Sequence, residues 1–235
     1  MSNICIIPAR GKSKRIKNKN IRKFNDLPMI SFAIKAALES NLFEHIVVST
    51  DNNEIIKIAK EFNAEVPFTR PDDLSDDFTD TQSVINHSIG ECENLGWNFN
   101  FVCCIYPCVP LIKTKDIRNS FDILKSSKDF FVFPISEISS NPLRSLGIKK
   151  NGELFSLFPD HEKMRSQDLK KGFFDTGQFY WGHKELWKTT KSIHSNAIGL
   201  IIPKWRAIDI DSEDDWIMAE LLYNIHEKRG EIGKF

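Results

Sequence analysis

Two groups of residues could do chemistry on phosphate, and they lie at opposite ends of the chain. The first is the run Arg10-Gly-Lys-Ser-Lys-Arg-Ile-Lys-Asn-Lys-Asn20, in which Arg10, Lys12, Lys14, Arg15 and Lys17 crowd one loop that Lys19 and Asn20 close. Arginine offers phosphate oxygens a planar fork, and lysine offers a compact charge. Gly11 lets the backbone turn sharply and approach a ligand closely. The second group is Asp209 and Asp211, within Trp205-Arg-Ala-Ile-Asp-Ile-Asp211. Read as a strand, this segment points both carboxylates one way and turns Ile208 and Ile210 into the core. Carboxylates so spaced suit Mg²⁺, a hard cation that takes one or two of them together with phosphate and water. Each group alone has a plainer reading. A charge run is commonly a solvated surface loop, and acids are favourable near a helix N-terminus. Together they describe a nucleotide–metal site that would transfer a nucleotidyl group by neutralising and aligning phosphates. The loop has neither the G-x-x-x-x-G-K-[ST] nor the G-x-G-x-x-G pattern.

The elements that must position these groups read as alternating strands and helices. Ile4–Ile7 is an apolar first strand that feeds the basic loop, as in many open α/β sheets that hold phosphates. A helix follows over 29–40, with Ile30, Ala33, Ile34, Ala37 and Leu38 on one face and Pro28 at its start. His45–Thr50 is a second strand. Asp51 or Asn52 caps the next helix, whose apolar face is Ile55, Ile56, Ala59 and Phe62. The stretch 66–78, with two prolines and Arg70, is a loop. Asp80 or Thr79 caps a helix lined by Val84, Ile85, Ile89, Cys92 and Leu95 and ended by Gly96. Phe101–Tyr106 is a third strand that runs into a stiff Pro107-Cys-Val-Pro110 turn, at the sheet edge where such folds bind ligands. A helix over 116–126 and a strand over 130–135 continue the rhythm, which argues for a mostly parallel sheet in an α/β fold.

The stretch 141–172 interrupts that rhythm. Lys150-Asn-Gly152 between Leu146–Ile148 and Leu154–Phe158 predicts a hairpin. The aromatic-rich run 173–182 and a strand over 197–202 follow. Ser212 and Asp215 resemble a capping box for a closing helix that buries Trp216, Ala219 and Leu222 or Tyr223.

The totals narrow the function classes. The 235 residues allow one large α/β domain or two small ones. Acids and bases balance at 32 each, so no global field favours nucleic acid or a membrane surface. No apolar run approaches a membrane span, and the N-terminus reads as a strand rather than a signal peptide. Five cysteines without C-x-x-C spacing read as reduced thiols of a cytoplasmic protein. Six histidines form no H-x-x-x-H pair, which argues against zinc.

Ile6-Ile-Pro-Ala-Arg-Gly-Lys-Ser-Lys-Arg-Ile-Lys-Asn-Lys-Asn-Ile21 resembles the signature of the cytidylyltransferases that activate sialic acid and related nonulosonic acids. The likeness continues in order through Val48-Ser-Thr-Asp51, Arg70-Pro71, Ser75-Asp-Asp77, Tyr106-Pro-Cys-Val-Pro110 and Ile208-Asp-Ile-Asp211. Met164-Arg-Ser-Gln-Asp168 and Phe174-Asp-Thr-Gly-Gln-Phe-Tyr-Trp-Gly182 look most like the pseudaminic acid branch. Lys12 stands where a second glycine is usual. Tyr106-Pro107 stands where sialic acid enzymes commonly carry Gln-Pro.

The resemblance implies a Rossmann-like three-layer α/β/α sandwich of the nucleotide-diphospho-sugar transferase type, spanning 1–235 as one domain. It implies transfer of CMP from CTP to a nonulosonic acid with release of pyrophosphate. Arg10, Lys19, Asp209 and Asp211 would be catalytic, with the two aspartates holding Mg²⁺. Ala9, Arg10, Gly11, Lys14, Asn20 and Arg70 would bind the nucleotide. Tyr106, Arg144, Arg165, Gln178 and Tyr180 would meet the sugar acid. The insert 141–172 would form a homodimer. A sialic, legionaminic or shorter keto sugar acid is the alternative substrate. A non-catalytic binder on the same scaffold would need only one of the two charged groups.

Overall fold

The computed structural model describes residues 2–127, 129–190, 192–228 and 230. In chain order its elements are β1 (Asn3–Pro8), the hairpin β2 (Lys23–Phe24) and β3 (Leu27–Pro28), α1 (Ile30–Ser40), β4 (His45–Ser49) and α2 (Asn53–Glu61). Then come α3 (Thr81–Asn94), β5 (Phe101–Ile105), α4 (Thr114–Lys125), β6 (Phe131–Glu137), β7 (Leu146–Ile148) and β8 (Leu154–Ser156). The chain closes with β9 (Phe173–Asp175), β10 (Phe179–His183), α5 (Lys184–Thr189), β11 (Ala197–Ile201) and α6 (Glu213–Lys228).

One sheet runs β11-β6-β10-β5-β1-β4, with β9 pairing β6 off that path. β1 lies between β4 and β5, parallel to both. β11 is parallel to β6, whereas β10 and β9 run against their neighbours. The sheet is therefore mixed but mostly parallel. Its central strands β1 and β5 bury both faces, as parallel sheets covered by helices do. Cys5 and Ile7 of β1 face the side covered by α1, α2 and α4, and Ile4 and Ile6 face the side covered by α3 and α5. Five of the strands thus carry their carboxyl ends to one edge, and the basic loop leaves β1 there.

A third apolar cluster ties the two ends of the chain together. Phe24 of the hairpin packs edge-on against Phe32 of α1 and against Trp216 and Tyr223 of α6, with ring centroids 5.4–5.6 Å apart. Ile16 of the basic loop and Ile210 are buried in the same cluster. This packing brings residues 10–20 beside residues 209–211.

Several expectations need correction. Residues 205–211 are no strand: Lys204–Arg206 is a single 3₁₀ turn, and 207–211 pair with no neighbour. Ile210 is buried but Ile208 only half so, because a non-strand segment has no strict alternation. The aromatic-rich run 173–182, to which the sequence assigned no element, forms β9 and β10, parted at Gly177, whose φ of +62° suits glycine. Leu38 and Leu95 face solvent rather than the core, at 38% and 51% exposure. Asn52, not Asp51, caps α2, and Asp80 caps α3. Ser212 and Asp215 do form the reciprocal cap, with Ser212 N–H donating to Asp215 at 2.8 Å and Asp215 N–H to Ser212 Oγ at 3.3 Å.

Phe24→Ala is expected to lower unfolding free energy by about 3–5 kcal/mol, read from urea melts. A loss under about 1 kcal/mol would show that this cluster does not hold the chain ends together.

Candidate active site

A cleft of about 390 Å³ opens at the carboxyl edge of the sheet. Its first wall is the basic loop, from which Arg10, Lys14, Arg15, Lys19 and Asn20 reach the cavity. Like charges this close require counter-charges, and each side of the cleft supplies one. Asp77 pairs with Arg10 at 2.9 Å and also with Lys14. Arg10 further donates to the carbonyl of Asp76. Lys14 and Arg10 hold the Asp77 carboxyl below the usual carboxylate range, with the Lys14 hydrogen bond as the largest cause. On the opposite side Asp211 pairs with Arg15 and lies 3.5 Å from Lys19.

The loop's backbone is fixed by hydrogen bonds. Asn20 is buried and donates from Nδ2 to the Arg10 carbonyl at 2.9 Å, while its Oδ1 accepts from Cys108 Sγ at 3.2 Å. Burial pushes the Cys108 thiol up to about 12, so it stays a donor. Gly11 N–H donates to Asp51 at 2.7 Å. A Cβ at Gly11 would fall 2.8 Å from the Asn52 side chain, so the close approach there excludes larger residues. Ala9 is buried behind the loop and donates its N–H to Ser49 O.

Arg70 enters the cleft from beneath and is only 4% exposed. Its Nε donates to Ser49 Oγ at 3.1 Å, and its Nη2 to the Ser49 carbonyl. Burial lowers its pKa to about 10, against the opposing pull of Asp51. It stays a cation at neutral pH.

Asp209 and Asp211 both line the cleft. Asp209 stands at the mouth, but the surrounding walls desolvate its carboxyl and raise its pKa, and the neighbouring Asp211 charge raises it further. Two carboxylates that disfavour each other's charge, open to a phosphate-sized space, fit a hard divalent cation. Among the described residues no group of three or more His, Cys, Asp or Glu gathers as a metal site. The pair therefore fits an ion whose other ligands are substrate oxygens and water rather than a protein cage. The segment is held in place by a buried ion pair from Arg206 to Asp116 of α4, and by Gln178 Nε2 donating to the Arg206 carbonyl at 2.5 Å.

Tyr106 closes the far wall, with its hydroxyl 2.7 Å from Thr81 Oγ1. Burial pushes its phenol up to about 12. Four of the residues expected at the sugar end lie off the cleft walls in this chain. Gln178 is 2% exposed and serves Arg206. Tyr180 is buried behind Tyr106, its ring centroid 5.4 Å away. Arg144 is exposed on the insert and bonds the Met164 carbonyl, and Arg165 pairs with Asp168 at 2.8 Å. Asp77, Thr81, Cys108 and Gly177 line the cleft without having been singled out from sequence for a role. Complementarity to the basic loop is a signal that could have found Asp77. Thr81 and Gly177 carried none.

An α/β/α sandwich with facing cationic and acidic groups at one sheet edge defines a nucleotide-handling transferase site. The family model described as cytidylyltransferase matches residues 4–190. A pseudaminic acid cytidylyltransferase of Campylobacter jejuni is 34% identical over 231 residues, covering 97% of this chain and 99% of that protein. The CMP-N,N'-diacetyllegionaminic acid synthase of Legionella pneumophila is 29% identical, with 97% and 99% covered. A structure of CMP:2-keto-3-deoxy-manno-octonic acid synthetase complexed with CTP superposes with a TM-score of 0.68 at 13% identity, covering 97% of this chain and all of that one, which is a likeness of fold. The chain belongs to the cytidylyltransferase family, in the group that holds the CMP-sialic acid synthetases and pseudaminic acid cytidylyltransferases, and is a CTP-dependent enzyme.

In this structure Asp77 occupies both Arg10 and Lys14. Asp77→Asn is expected to tighten CTP binding up to about fivefold, the scale of a part-exposed ion pair, measured by calorimetry. Weaker binding would instead make Asp77 the residue that orients the two cations.

Proposed function

We propose that this enzyme transfers CMP from CTP to the anomeric hydroxyl of pseudaminic acid. The observation that carries the reading is the single cleft lined by both the basic loop and the Asp209–Asp211 pair. The full-length likeness to the Campylobacter enzyme supports the sugar. Tyr106 lining the far wall supports the same branch, because an aromatic hydroxyl there offers different polar recognition from a side-chain amide.

In this reading Arg10, Lys14 and Lys19 bind the triphosphate, and Asn20 and Arg70 serve the nucleotide side. Gly11 and Ala9 supply the tight backbone behind them. The sugar hydroxyl oxygen forms a bond to the α-phosphorus while the bond from that phosphorus to the β-phosphate oxygen breaks. Pyrophosphate leaves and the hydroxyl proton passes to water. The cations act by stabilising charge on the departing pyrophosphate, where preorganised donors count most. Asp209 and Asp211 would hold Mg²⁺, which when bound supplies further neutralisation of the phosphate oxygens.

The insert 141–172 is proposed to pair two copies of the chain. Its hairpin β7–β8 forms a small sheet of its own, and Leu146, Ile148, Leu154 and Leu157 are each at least half exposed. Unpaired apolar surface of that kind marks an interaction site. Arg144 and Arg165 lie off their own cleft and would serve the partner's sugar carboxylate. A cytoplasmic setting is supported by five free cysteines, four of them buried. Among the described residues no helix is long and apolar enough to cross a membrane.

Pyrophosphate release from CTP and Mg²⁺ is expected with pseudaminic acid and to be far slower with legionaminic or sialic acid. Faster release with either of the others would move the assignment to that sugar. Asp211→Ala should lower kcat at least about 10²-fold with the thermal midpoint little changed. Wild-type turnover in that variant at the same Mg²⁺ would remove the metal assignment. Sedimentation should give a dimer that Ile148→Asp converts to monomer.

A further inference from the structure

Behind the far wall of the cleft lies a polar network to which the reaction assigns no role. Its centre is Asp175, the last residue of β9. Asp175 Oδ1 accepts the Gly177 N–H at 2.9 Å. Its Oδ2 accepts the Tyr180 hydroxyl at 2.8 Å and lies 2.8 Å from His194 Nε2. One of these bonds ends on the cleft wall, at Gly177, and the other on Tyr180, directly behind the wall residue Tyr106. Gly177 lines the cleft itself, at the positive-φ turn that separates β9 from β10. Tyr180 supports the ring of Tyr106, which lines the cleft next to it, and Tyr106 in turn bonds Thr81. The Tyr106 N–H also donates to the Gln178 carbonyl at 2.9 Å, so the turn and the tyrosine share a backbone link. Thr176, between the two, is buried and pinned to the Pro134 carbonyl at 3.0 Å.

We propose that Asp175 is a positioning residue for the sugar acid. One carboxylate fixes two wall elements at once, the Gly177 turn through its backbone N–H and the Tyr106 ring through Tyr180. An anionic acceptor suits the task, since hydrogen bonds to a charged group are shorter and stronger than neutral ones. A strand end needs such a clamp where the chain makes a positive-φ turn and the ladder is interrupted. Among the described residues no hydrogen bond or ion pair joins Arg10, Lys14, Lys19 or Arg70 to Asp175, Gly177, Tyr180 or Tyr106. Loss of Asp175 should therefore act on one substrate and spare the other. This inference rests on the reading of Tyr106 and Gly177 as the sugar end of the cleft.

The test compares Asp175→Ala, Asp175→Asn, Tyr180→Phe and the double variant Asp175→Ala/Tyr180→Phe, using CTP, Mg²⁺ and pseudaminic acid. Asp175→Ala is expected to raise KM for the sugar acid about tenfold, the scale of one lost charge-assisted hydrogen bond, with KM for CTP within about twofold. Asp175→Asn keeps the acceptor for Gly177 and should recover part of that loss. Tyr180→Phe should raise the sugar KM less, and the double variant should not exceed Asp175→Ala, because both act through one link. An unchanged sugar KM, or equal losses for both substrates with multiplicative effects, would overturn the proposal. A second reading needs no turnover. The chain has three tyrosines, so the ring signals of Tyr106 can be followed by NMR. They should shift in Asp175→Ala, although the two side chains share no direct hydrogen bond; static Tyr106 signals would overturn the proposal. If the wild type released no pyrophosphate with any nonulosonic acid, the proposed function would fail, and the ring signals would still decide whether Asp175 sets the wall.

Discussion

The site depends on keeping a crowded cationic loop in place before any phosphate arrives. Arg10, Lys14, Arg15 and Lys19 face one cavity, and their mutual repulsion opposes the compact state. Asp77 on one side and Asp211 on the other offset it. These pairs are part-exposed, so each contributes little to stability. Their effect is to keep four like charges together around one cavity. Arg70 is the exception. It is buried and bonded to Ser49 rather than paired with a carboxylate.

Everything else positions that loop against the acid pair. β1 delivers the loop to the carboxyl edge of the sheet, with helices covering both of its faces. The acid pair arrives from nearly two hundred residues away. Three separate anchors bring it there: the Phe24–Trp216–Tyr223 packing, the buried Arg206–Asp116 pair, and the Gln178 bond to the Arg206 backbone. Buried polar groups of this sort are costly to leave unpaired, so they specify one arrangement more than they stabilise it.

The two ends of the cleft are built differently. Around the basic loop the cleft rests on backbone hydrogen bonds and paired cations. The far wall rests on tyrosines held by a carboxylate at a strand interruption. Arg144 and Arg165 of the insert lie off this chain's own cleft, bonded within the insert itself.

The sequence by itself determined the alternation of strands and helices, because hydrophobic period and turn residues are local properties of the chain. It also determined which side chains carry the charge that a phosphate or metal would require, because charge type is visible without a fold. The hairpin at Lys150-Asn-Gly152 and the Ser212–Asp215 cap were legible for the same reason. Only the tertiary structure decided that 205–211 is not a strand, since a buried ion pair and a side-chain amide hold it away from the sheet. It alone decided that Gln178 and Tyr180 stand behind the wall rather than on it, because burial depends on what packs from elsewhere. Asp77, Thr81 and Gly177 enter the cleft through the same long-range packing. Local pattern reports what a residue can do, and only the neighbours brought by folding decide which residues meet.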